Sequence, residues 1–263
     1  MTDDHKSITE LISLAGRRVV ITGGAGGIGA AVAHRAGEAG AALALIDNDE
    51  NGMGRTVEGL RKAGFMTVGM PADVADTVAL TAAFDRVVRE LGGVDIWINN
   101  AGISPRIDTL SLTEAEWDRV LDLNLRAAFT GAKLAARHVR ARGAKGVIVN
   151  IVSSTVKRAT GNPVHYRVSK HGLVGLTQSL AVELGPSGIR CVAVAPTLPE
   201  TPRVAELRAA GYGEGLDKFT RRLPLGRAAT ADEVARVVLF AISDLAEFVT
   251  GTVLEVDGGE SCA

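Results

Sequence analysis

The sequence predicts a single doubly wound α/β domain, in which a seven-stranded parallel sheet is covered by helices on both faces. Short β-branched runs alternate along the chain with longer segments of helical periodicity. Several of these runs are almost continuously apolar, as expected for strands that are buried on both faces. The chain has 263 residues, of which 46% are hydrophobic and 22% charged, so it is long enough for one substantial core.

The strand candidates share β-branched composition and end at residues typical of turns. They are RRVVITG (17–23), ALALID (42–47), MTVGM (66–70), VDIWIN (94–99), GVIVNIVS (146–153), IRCVAVA (189–195) and TVLEVD (252–257).

Five helical patterns lie between them, and two of them end at glycines that are typical of C-caps. They cover 27–40, 77–93, 113–143, 166–188 and 230–242. The pattern over 113–143 is long enough for a continuous or a kinked helix.

Residues 16–263 are predicted to form one Rossmann-type domain, preceded by an N-terminal arm (1–15). The segment from Pro202 to Pro224 does not fit the alternation of strands and helices. It is rich in charge and glycine, so we expect a mobile helical insertion over a site.

Composition argues against several classes of partner. A net charge of −1 gives no reason to expect nucleic acid or an anionic membrane. The N-terminus is polar and acidic, unlike a signal peptide, and no apolar run approaches membrane-spanning length, so we expect a cytoplasmic protein. Of the two cysteines, Cys191 lies in an apolar run and is predicted to be a buried hydrophobe. The histidines lack metal-ligand spacing, so no metal is predicted, and His165 is expected to be exposed.

A glycine-rich loop, TGGAGGIG, joins the first strand directly to a helix. Gly23, Gly27 and Gly29 let the backbone turn tightly and approach a pyrophosphate, which the helix N-terminus attracts. Asp47 ends the second strand, 18 residues after Gly29, close to the spacing expected for a carboxylate that binds the adenosine ribose. Such an acid repels a 2′-phosphate, and neither the loop nor the four residues after Asp47 contain Arg or Lys. The pattern therefore favours NAD over NADP.

A tyrosine and a lysine one helical turn apart occur in YRVSK, as Tyr166 and Lys170. Transfer of a hydride between a secondary alcohol and nicotinamide requires a proton to leave or reach the substrate oxygen. A phenol with a pKa of about 10 is a poor base at neutral pH. A neighbouring lysine cation, together with the positive charge of the nicotinamide, would lower that pKa. Tyr166 is therefore the predicted acid/base and Lys170 the group that tunes it.

The motifs together resemble the short-chain dehydrogenase/reductase family over nearly the whole chain. TGGAGGIG matches the family's TGxxxGxG through Thr22, Gly23, Gly27 and Gly29, and INNAG matches its NNAG segment. The other matching segments are DLNL, NIVS, YRVSK and LPLGR…VTGTVLEVDGG.

The resemblance implies further roles near the reacting atoms. Ser153, 13 residues before Tyr166, would bind the substrate oxygen and stabilise its developing charge, with Ser154 as the competing assignment. Lys170 would also bind the nicotinamide ribose. Asn124 would hold a water that links Lys170 to solvent, although a helix-kink asparagine without a catalytic part is the alternative.

The resemblance also implies contacts with the dinucleotide along the sheet edge. Asp73 and Val74 would meet the adenine, and the adenosine ribose side would be met by Asn100, Ala101 and Gly102. Pro196 would bracket the nicotinamide carboxamide together with Pro199 and Thr201, and Ile28 belongs to the glycine loop set. The family usually has Pro-Gly at the first of these turns, whereas this chain has Pro196-Thr197, and a residue other than glycine narrows the backbone choices there.

The sequence therefore predicts an NAD(H)-dependent oxidoreductase that interconverts a secondary alcohol and a ketone. Low aromatic content (4%) favours a polyol, sugar or small hydroxy compound as the substrate. Two alternatives stay open: an NADPH-dependent 3-oxoacyl-thioester reductase, and a non-catalytic dinucleotide-binding regulator. The resemblance implies a homotetramer, with the long helix after Thr113 and the Tyr166 helix as the interface.

Overall fold

The computed structural model describes residues 5–158 and 163–262, apart from the side chain of Arg203. Every predicted strand forms within two residues of its expected bounds, and all of them pair in parallel in one sheet. The strands are β1 (Arg18–Thr22), β2 (Ala42–Asp47), β3 (Thr67–Pro71), β4 (Ile96–Asn99), β5 (Gly146–Ile151), β6 (Ile189–Pro196) and β7 (Val253–Val256).

The strand order across the sheet is β3-β2-β1-β4-β5-β6-β7. The order reverses between β1 and β4, whose registers include Ile21 opposite Ile98. Ligands of open α/β sheets bind at the carboxyl ends of the strands beside such a reversal. The predicted doubly wound class is confirmed, and this topology places the candidate site.

Ten α-helices occur among the described residues. They are α1 (Ile8–Ile12), α2 (Gly27–Glu38), α3 (Glu50–Lys62), α4 (Thr77–Leu91), α5 (Glu114–Leu121), α6 (Ala127–Ala141), α7 (Val164–Leu184), α8 (Pro202–Leu207), α9 (Gly213–Thr220) and α10 (Ala231–Ile242).

The helices bury their apolar stripes on the two faces of the sheet. One face carries α2, α3 and α10, whose side chains pack with β1, β2 and β5 in one large cluster. The opposite face carries α4, α6 and α7. Cys191 is fully buried against α6 and α7, as predicted from its apolar neighbours.

Helix α3 is an element that the sequence pattern does not predict. Three glycines in ENGMGRTVEGLRK lower its helix propensity, and charged side chains are spread along its length. Asp49 nevertheless caps it by accepting from the amide of Gly52, and Met53, Val57 and Leu60 form a buried stripe at helical spacing. Tertiary packing of that stripe outweighs the weak local preference.

The long helical pattern after Thr113 is kinked rather than continuous. A capping box between Thr113 and Glu116 begins α5, and one π-helical turn, Asp122–Arg126, separates α5 from α6. Such turns insert one residue into the helix and often lie at functional sites. Asn124 is in this turn.

The segment from Pro202 to Pro224 is helical, in line with the sequence. Thr201 caps α8, and Gly211, with φ of +91°, breaks the path between α8 and α9. The guanidinium of Arg208 holds the two helices together by pairing with Asp217, and it also pairs with Glu200.

A buried polar network lies inside the sheet directly below its carboxyl end. The amide of Asn99 in β4 donates to Asn150 in β5 and to the carbonyl of Ala128, and it accepts from the indole of Trp97. Asn150 in turn donates to Thr177 on α7. Buried amides need partners of this kind, and these bonds fix β4, β5 and α7 relative to one another.

Candidate active site

The glycine-rich loop closes against the end of β4. Gly23 has φ of +68° and its α-carbon faces the backbone of Ala101 so closely that a Cβ would lie 2.9 Å away. A Cβ on Gly29 would lie 2.1 Å from the carbonyl oxygen of Gly23. Both positions therefore require glycine for close packing, and Gly23 requires it for conformation as well.

The loop is held by hydrogen bonds between the ends of β1 and β4. The Thr22 hydroxyl accepts from the amides of Asn100 and Ala101, and the Asn100 side chain donates to the carbonyls of Thr22 and Gly23. The side-chain amide of Asn100 thus shapes the loop, and its contact with the adenosine ribose side stays a prediction.

The first turn of α2 opens at this loop. Gly26 precedes the helix in an extended conformation and has no side chain to cap it, so the first amides are left for an anion. Ile28, in that turn, packs on the core. A Cβ on Gly27, whose φ is +55°, would lie 3.6 Å from the Thr201 methyl group. These groups fit a dinucleotide pyrophosphate.

Asp47 lies at the carboxyl end of β2 and contacts the same loop. Its carboxylate accepts from the amide of Ala25 at 2.9 Å and from the amide of Asp49 at 2.9 Å. A carboxylate has about four acceptor positions, so capacity for sugar hydroxyls remains. Asp47 thus carries a negative charge to the point where the sequence predicts the adenosine ribose.

The remaining predicted cofactor contacts lie along the same edge. Asp73 is exposed and accepts from the amide of Ala75, whereas the neighbouring Val74 is buried. Pro196 ends β6, and Pro199 is buried in the turn that follows. Gly102 follows β4, where a Cβ would lie 3.5 Å from the amine of Lys170.

Ser153, Tyr166 and Lys170 meet where β5 ends against α7. The Ser153 hydroxyl hydrogen-bonds with the Tyr166 phenol. The amine of Lys170 donates to the carbonyl of Ile151 at 2.8 Å and lies 5.6 Å from the centre of the Tyr166 ring. The structure therefore brings together the three side chains that the sequence analysis assigned to one site. Ser154 is buried and begins the short 3₁₀ turn after Ser153.

Burial dominates the ionisation of this group. It raises the pKa of Tyr166, and the hydrogen bond with Ser153 only partly offsets it. Burial also lowers the pKa of Lys170 to about 8. The lowering of the phenol pKa by Lys170 together with a nicotinamide cation stays a prediction, and in the protein alone burial is the larger influence. At neutral pH the phenol keeps its proton and the amine keeps its charge.

Asn124 links the π-helical turn to the loop after β4 and to α7. Its side chain accepts from the amide of Ile103 at 2.9 Å and donates to the carbonyl of Ile103 and to the Ser169 hydroxyl. Lys170 is the next residue after Ser169. Asn124 thereby fixes the part of α7 that carries the lysine.

His165 differs from its predicted exposure, because the side chain is fully buried. Neither ring nitrogen has a hydrogen-bond partner among the residues that the structure describes. Burial lowers its pKa, and the carboxylate of Glu116 only partly offsets this. The helical periodicity of α7 could have indicated this burial, since His165 lies eight residues, about two turns, before the buried Leu173 on the same face.

We expect His165 to make the protein sensitive to acid. Because its folded-state pKa is depressed, its contribution to stability is complete above the unfolded pKa of about 6.5 and is lost as the pH falls below it. Urea unfolding at pH 7.5 and 5.5 should show a smaller acid loss for His165→Phe than for the wild type. His171→Phe, at an exposed position of the same helix, is the control. Equal acid losses in all three proteins would contradict the prediction.

A cavity of about 930 Å³ lies against α7. It is lined by residues that include Arg106, Leu125, Arg167 and His171, and Ser153, Tyr166 and Lys170 are not in its wall. The candidate catalytic side chains are therefore not part of its lining.

Two groups near the site were not predicted from the sequence. The Ile151 carbonyl accepts from the Lys170 amine. Every residue has a backbone carbonyl, so the sequence could not indicate this acceptor. Glu260 accepts from the Thr197 hydroxyl, and these two residues are 63 positions apart. No cluster of three or more His, Cys, Asp or Glu able to hold a metal occurs within 5–158 and 163–262. Over the same ranges, no helix has both the length and the apolar character needed to cross a membrane.

A glycine loop at the switch point of a doubly wound sheet, beside a serine, a tyrosine and a lysine, defines a dinucleotide-dependent oxidoreductase. The family model described as enoyl-(acyl carrier protein) reductase matches residues 23–261. The chain is 39% identical over 244 residues to 4-formylbenzenesulfonate dehydrogenase TsaC1/TsaC2 of Comamonas testosteroni, covering 92% of this chain and 96% of that protein. It is 38% identical over 247 residues to 3beta-hydroxysteroid dehydrogenase 1 of Eggerthella lenta, covering 94% of each.

Solved structures agree with these matches. Levodione reductase superposes with a TM-score of 0.89 at 36% identity, covering 95% of this chain and 99% of that chain. An actinorhodin polyketide ketoreductase variant with NADPH superposes with a TM-score of 0.89 at 34% identity, covering 94% of this chain and 98% of that chain. The chain belongs to the short-chain dehydrogenase/reductase family, and it is an oxidoreductase that acts on CH–OH groups.

Proposed function

We propose that the protein interconverts a secondary alcohol and a ketone with NAD(H). The observation that carries this proposal is the meeting of Ser153, Tyr166 and Lys170 at the strand ends beside the glycine loop. A bound nicotinamide would supply the hydride donor or acceptor.

Tyr166 moves the proton. In the reductive direction its phenol donates to the carbonyl oxygen, and the raised pKa keeps this phenol protonated at neutral pH. In the oxidative direction the phenolate accepts the hydroxyl proton. Ser153, already hydrogen-bonded to the phenol, holds the substrate oxygen between the two hydroxyls and stabilises its charge. Lys170 brings a positive charge next to the ring from its place on the Ile151 carbonyl.

Tyr166→Phe should lower kcat by about 10²- to 10⁴-fold, because it removes the proton carrier and leaves the ring. The chain has two tyrosines, so Tyr212→Phe is a matched control. Phenylalanine at position 212 removes the hydroxyl and keeps the ring face that Arg106 covers. NADH absorbance across a panel of secondary alcohols, polyols, hydroxy acids and ketones measures the effect. Equal rates for wild type and Tyr166→Phe would exclude this mechanism.

Asp47 supports NAD as the cofactor. Its carboxylate is fixed on the loop by the Ala25 amide, where it would bind ribose hydroxyls and repel a 2′-phosphate. The similarity to a ketoreductase solved with NADPH supports a preference for NADP(H) as the alternative. That preference would favour the predicted 3-oxoacyl-thioester reductase.

Asp47→Asn should raise the NADP-to-NAD ratio of kcat/KM by about tenfold or more, because it removes a like charge from the 2′-phosphate position. Asp49→Asn is the control, since Asp49 caps α3 at the same strand end. A wild-type preference for NADP, or an equal shift in both variants, would show that Asp47 does not select the cofactor.

For the substrate, we propose a small hydroxy compound, sugar or polyol. The similarity to a hydroxysteroid dehydrogenase and to levodione reductase supports ring alcohols and ketones as the first compounds of the panel. The non-catalytic regulator gains support only if a dinucleotide binds tightly and no compound turns over. The cytoplasmic location stays an expectation from the sequence.

We also propose a homotetramer in which α6 and α7 contribute to an interface. Their outer faces expose three large apolar side chains, Phe129, Val168 and Val182, of which Val182 is 80% exposed. Light scattering on the purified protein should give about four times the 27.3 kDa chain mass, and Val182→Lys should lower it. Glu183→Lys, at the neighbouring exposed position, is the control for charge. A monomeric wild type would exclude the tetramer.

A further inference from the structure

The short C-terminal turn after β7 reaches the candidate active site. We propose that Glu260 is a positioning residue: its carboxylate holds the turn after β6 in the shape that receives the nicotinamide end of the dinucleotide. This inference rests on the proposed function for its ligand and adds a residue that the motifs do not include.

Glu260 is buried although it lies three residues from the C-terminus. Its side chain accepts a hydrogen bond of 2.7 Å from the Thr197 hydroxyl, and the residue is only 5% exposed. A carboxylate is removed from water only where donors compensate it. A hydrogen bond to an ionised acceptor is also stronger than one between neutral groups. The hydrogen bond between Thr197 and Glu260 can therefore stabilise one conformation of the turn after β6.

The backbone of the turn that carries Glu260 is itself held in place. The Asp257 side chain accepts from the amides of Gly259 and Ser261 on either side of Glu260. The Arg158 guanidinium, in the loop after β5, donates to the Glu260 carbonyl at 3.1 Å. The turn thus joins the end of β7 to the loop that follows Ser153.

The turn that Glu260 holds runs from the sheet to the glycine loop. Thr197 donates its amide to the Val256 carbonyl, so both its backbone and its side chain are bound to the C-terminal segment. Four residues later, Thr201 places its methyl group beside Gly27. The segment between them is the one predicted to bracket the nicotinamide carboxamide.

Thr197 is also where this chain departs from the Pro-Gly pattern of the family. A glycine there has no hydroxyl to donate. Threonine allows fewer backbone φ/ψ conformations in this turn than glycine does, and the hydrogen bond to Glu260 stabilises one of them. We infer that the two residues act as a pair, with Thr197 as the donor and Glu260 as the anchor.

Titration of NADH fluorescence with purified protein tests the pair without a substrate. Thr197→Val and Glu260→Ala should each weaken NADH binding about tenfold. Thr197→Ser keeps the donor and Glu260→Gln keeps an acceptor, so both should stay within about threefold of the wild type. The double variant Thr197→Val/Glu260→Ala should bind no more weakly than the weaker single variant, because the two changes remove one interaction.

Ser261→Ala is the matched control, since Ser261 lies in the same turn and its hydroxyl donates to Glu255 of β7. It should leave NADH affinity unchanged, and thermal unfolding of every variant identifies any that do not fold. Unchanged affinity in Thr197→Val and Glu260→Ala would overturn the proposal, and so would equal losses in Ser261→Ala or additive losses in the double variant. A wild type that bound neither NADH nor NADPH would instead contradict the proposed function itself.

Discussion

The hydrogen-bonded junction between the ends of β1 and β4 is the interaction on which the site depends. The Thr22 hydroxyl accepts from two amides beyond β4 and donates to the Ile98 carbonyl, which uses its full capacity of one donor and two acceptors. Asn100 returns two bonds to the backbone of Thr22 and Gly23. Because these strands flank the reversal of strand order, the junction shapes the sheet edge at which folds of this class bind their ligands.

The glycines of the loop are a consequence of that junction. Once Gly23 is held against Ala101, α2 can begin only if Gly29 passes the Gly23 carbonyl at a distance that excludes a side chain. Asp47 then accepts from Ala25 and attaches the middle of the loop to β2. Close packing by itself therefore requires glycine at these positions, and the close approach of a cofactor predicted there would require it as well.

Burial has opposite effects on the pKa values of the two titrating groups in the candidate catalytic set. The pKa of Tyr166 rises and that of Lys170 falls to about 8, because desolvation disfavours the charged form of each. The lysine remains charged at neutral pH, and the Ile151 carbonyl accepts from it. Asn124 adds rigidity through Ser169 rather than charge. Burial thus keeps the phenol neutral and weakens the charge of the amine beside it.

The sequence by itself determined the strands and the chemistry-bearing side chains of this protein. Parallel strands buried on both faces read as apolar runs, so their bounds were predictable, and YRVSK indicated its pair through helical spacing. Where local preference was weak, prediction failed: α3 forms because Met53, Val57 and Leu60 are buried, despite three glycines. His165 is buried because its position on α7 faces the interior. Histidine is often exposed, so the residue type alone does not indicate this burial.

Only the tertiary structure decided which distant residues meet. The contact of Glu260 with Thr197 and that of Asn124 with Ile103 join segments that no local pattern relates. The elevated pKa of Tyr166 likewise depends on how completely α7 and β5 exclude water. Local sequence carries periodicity and residue chemistry, whereas burial and long-range hydrogen bonds exist only after the sheet has brought its strand ends together.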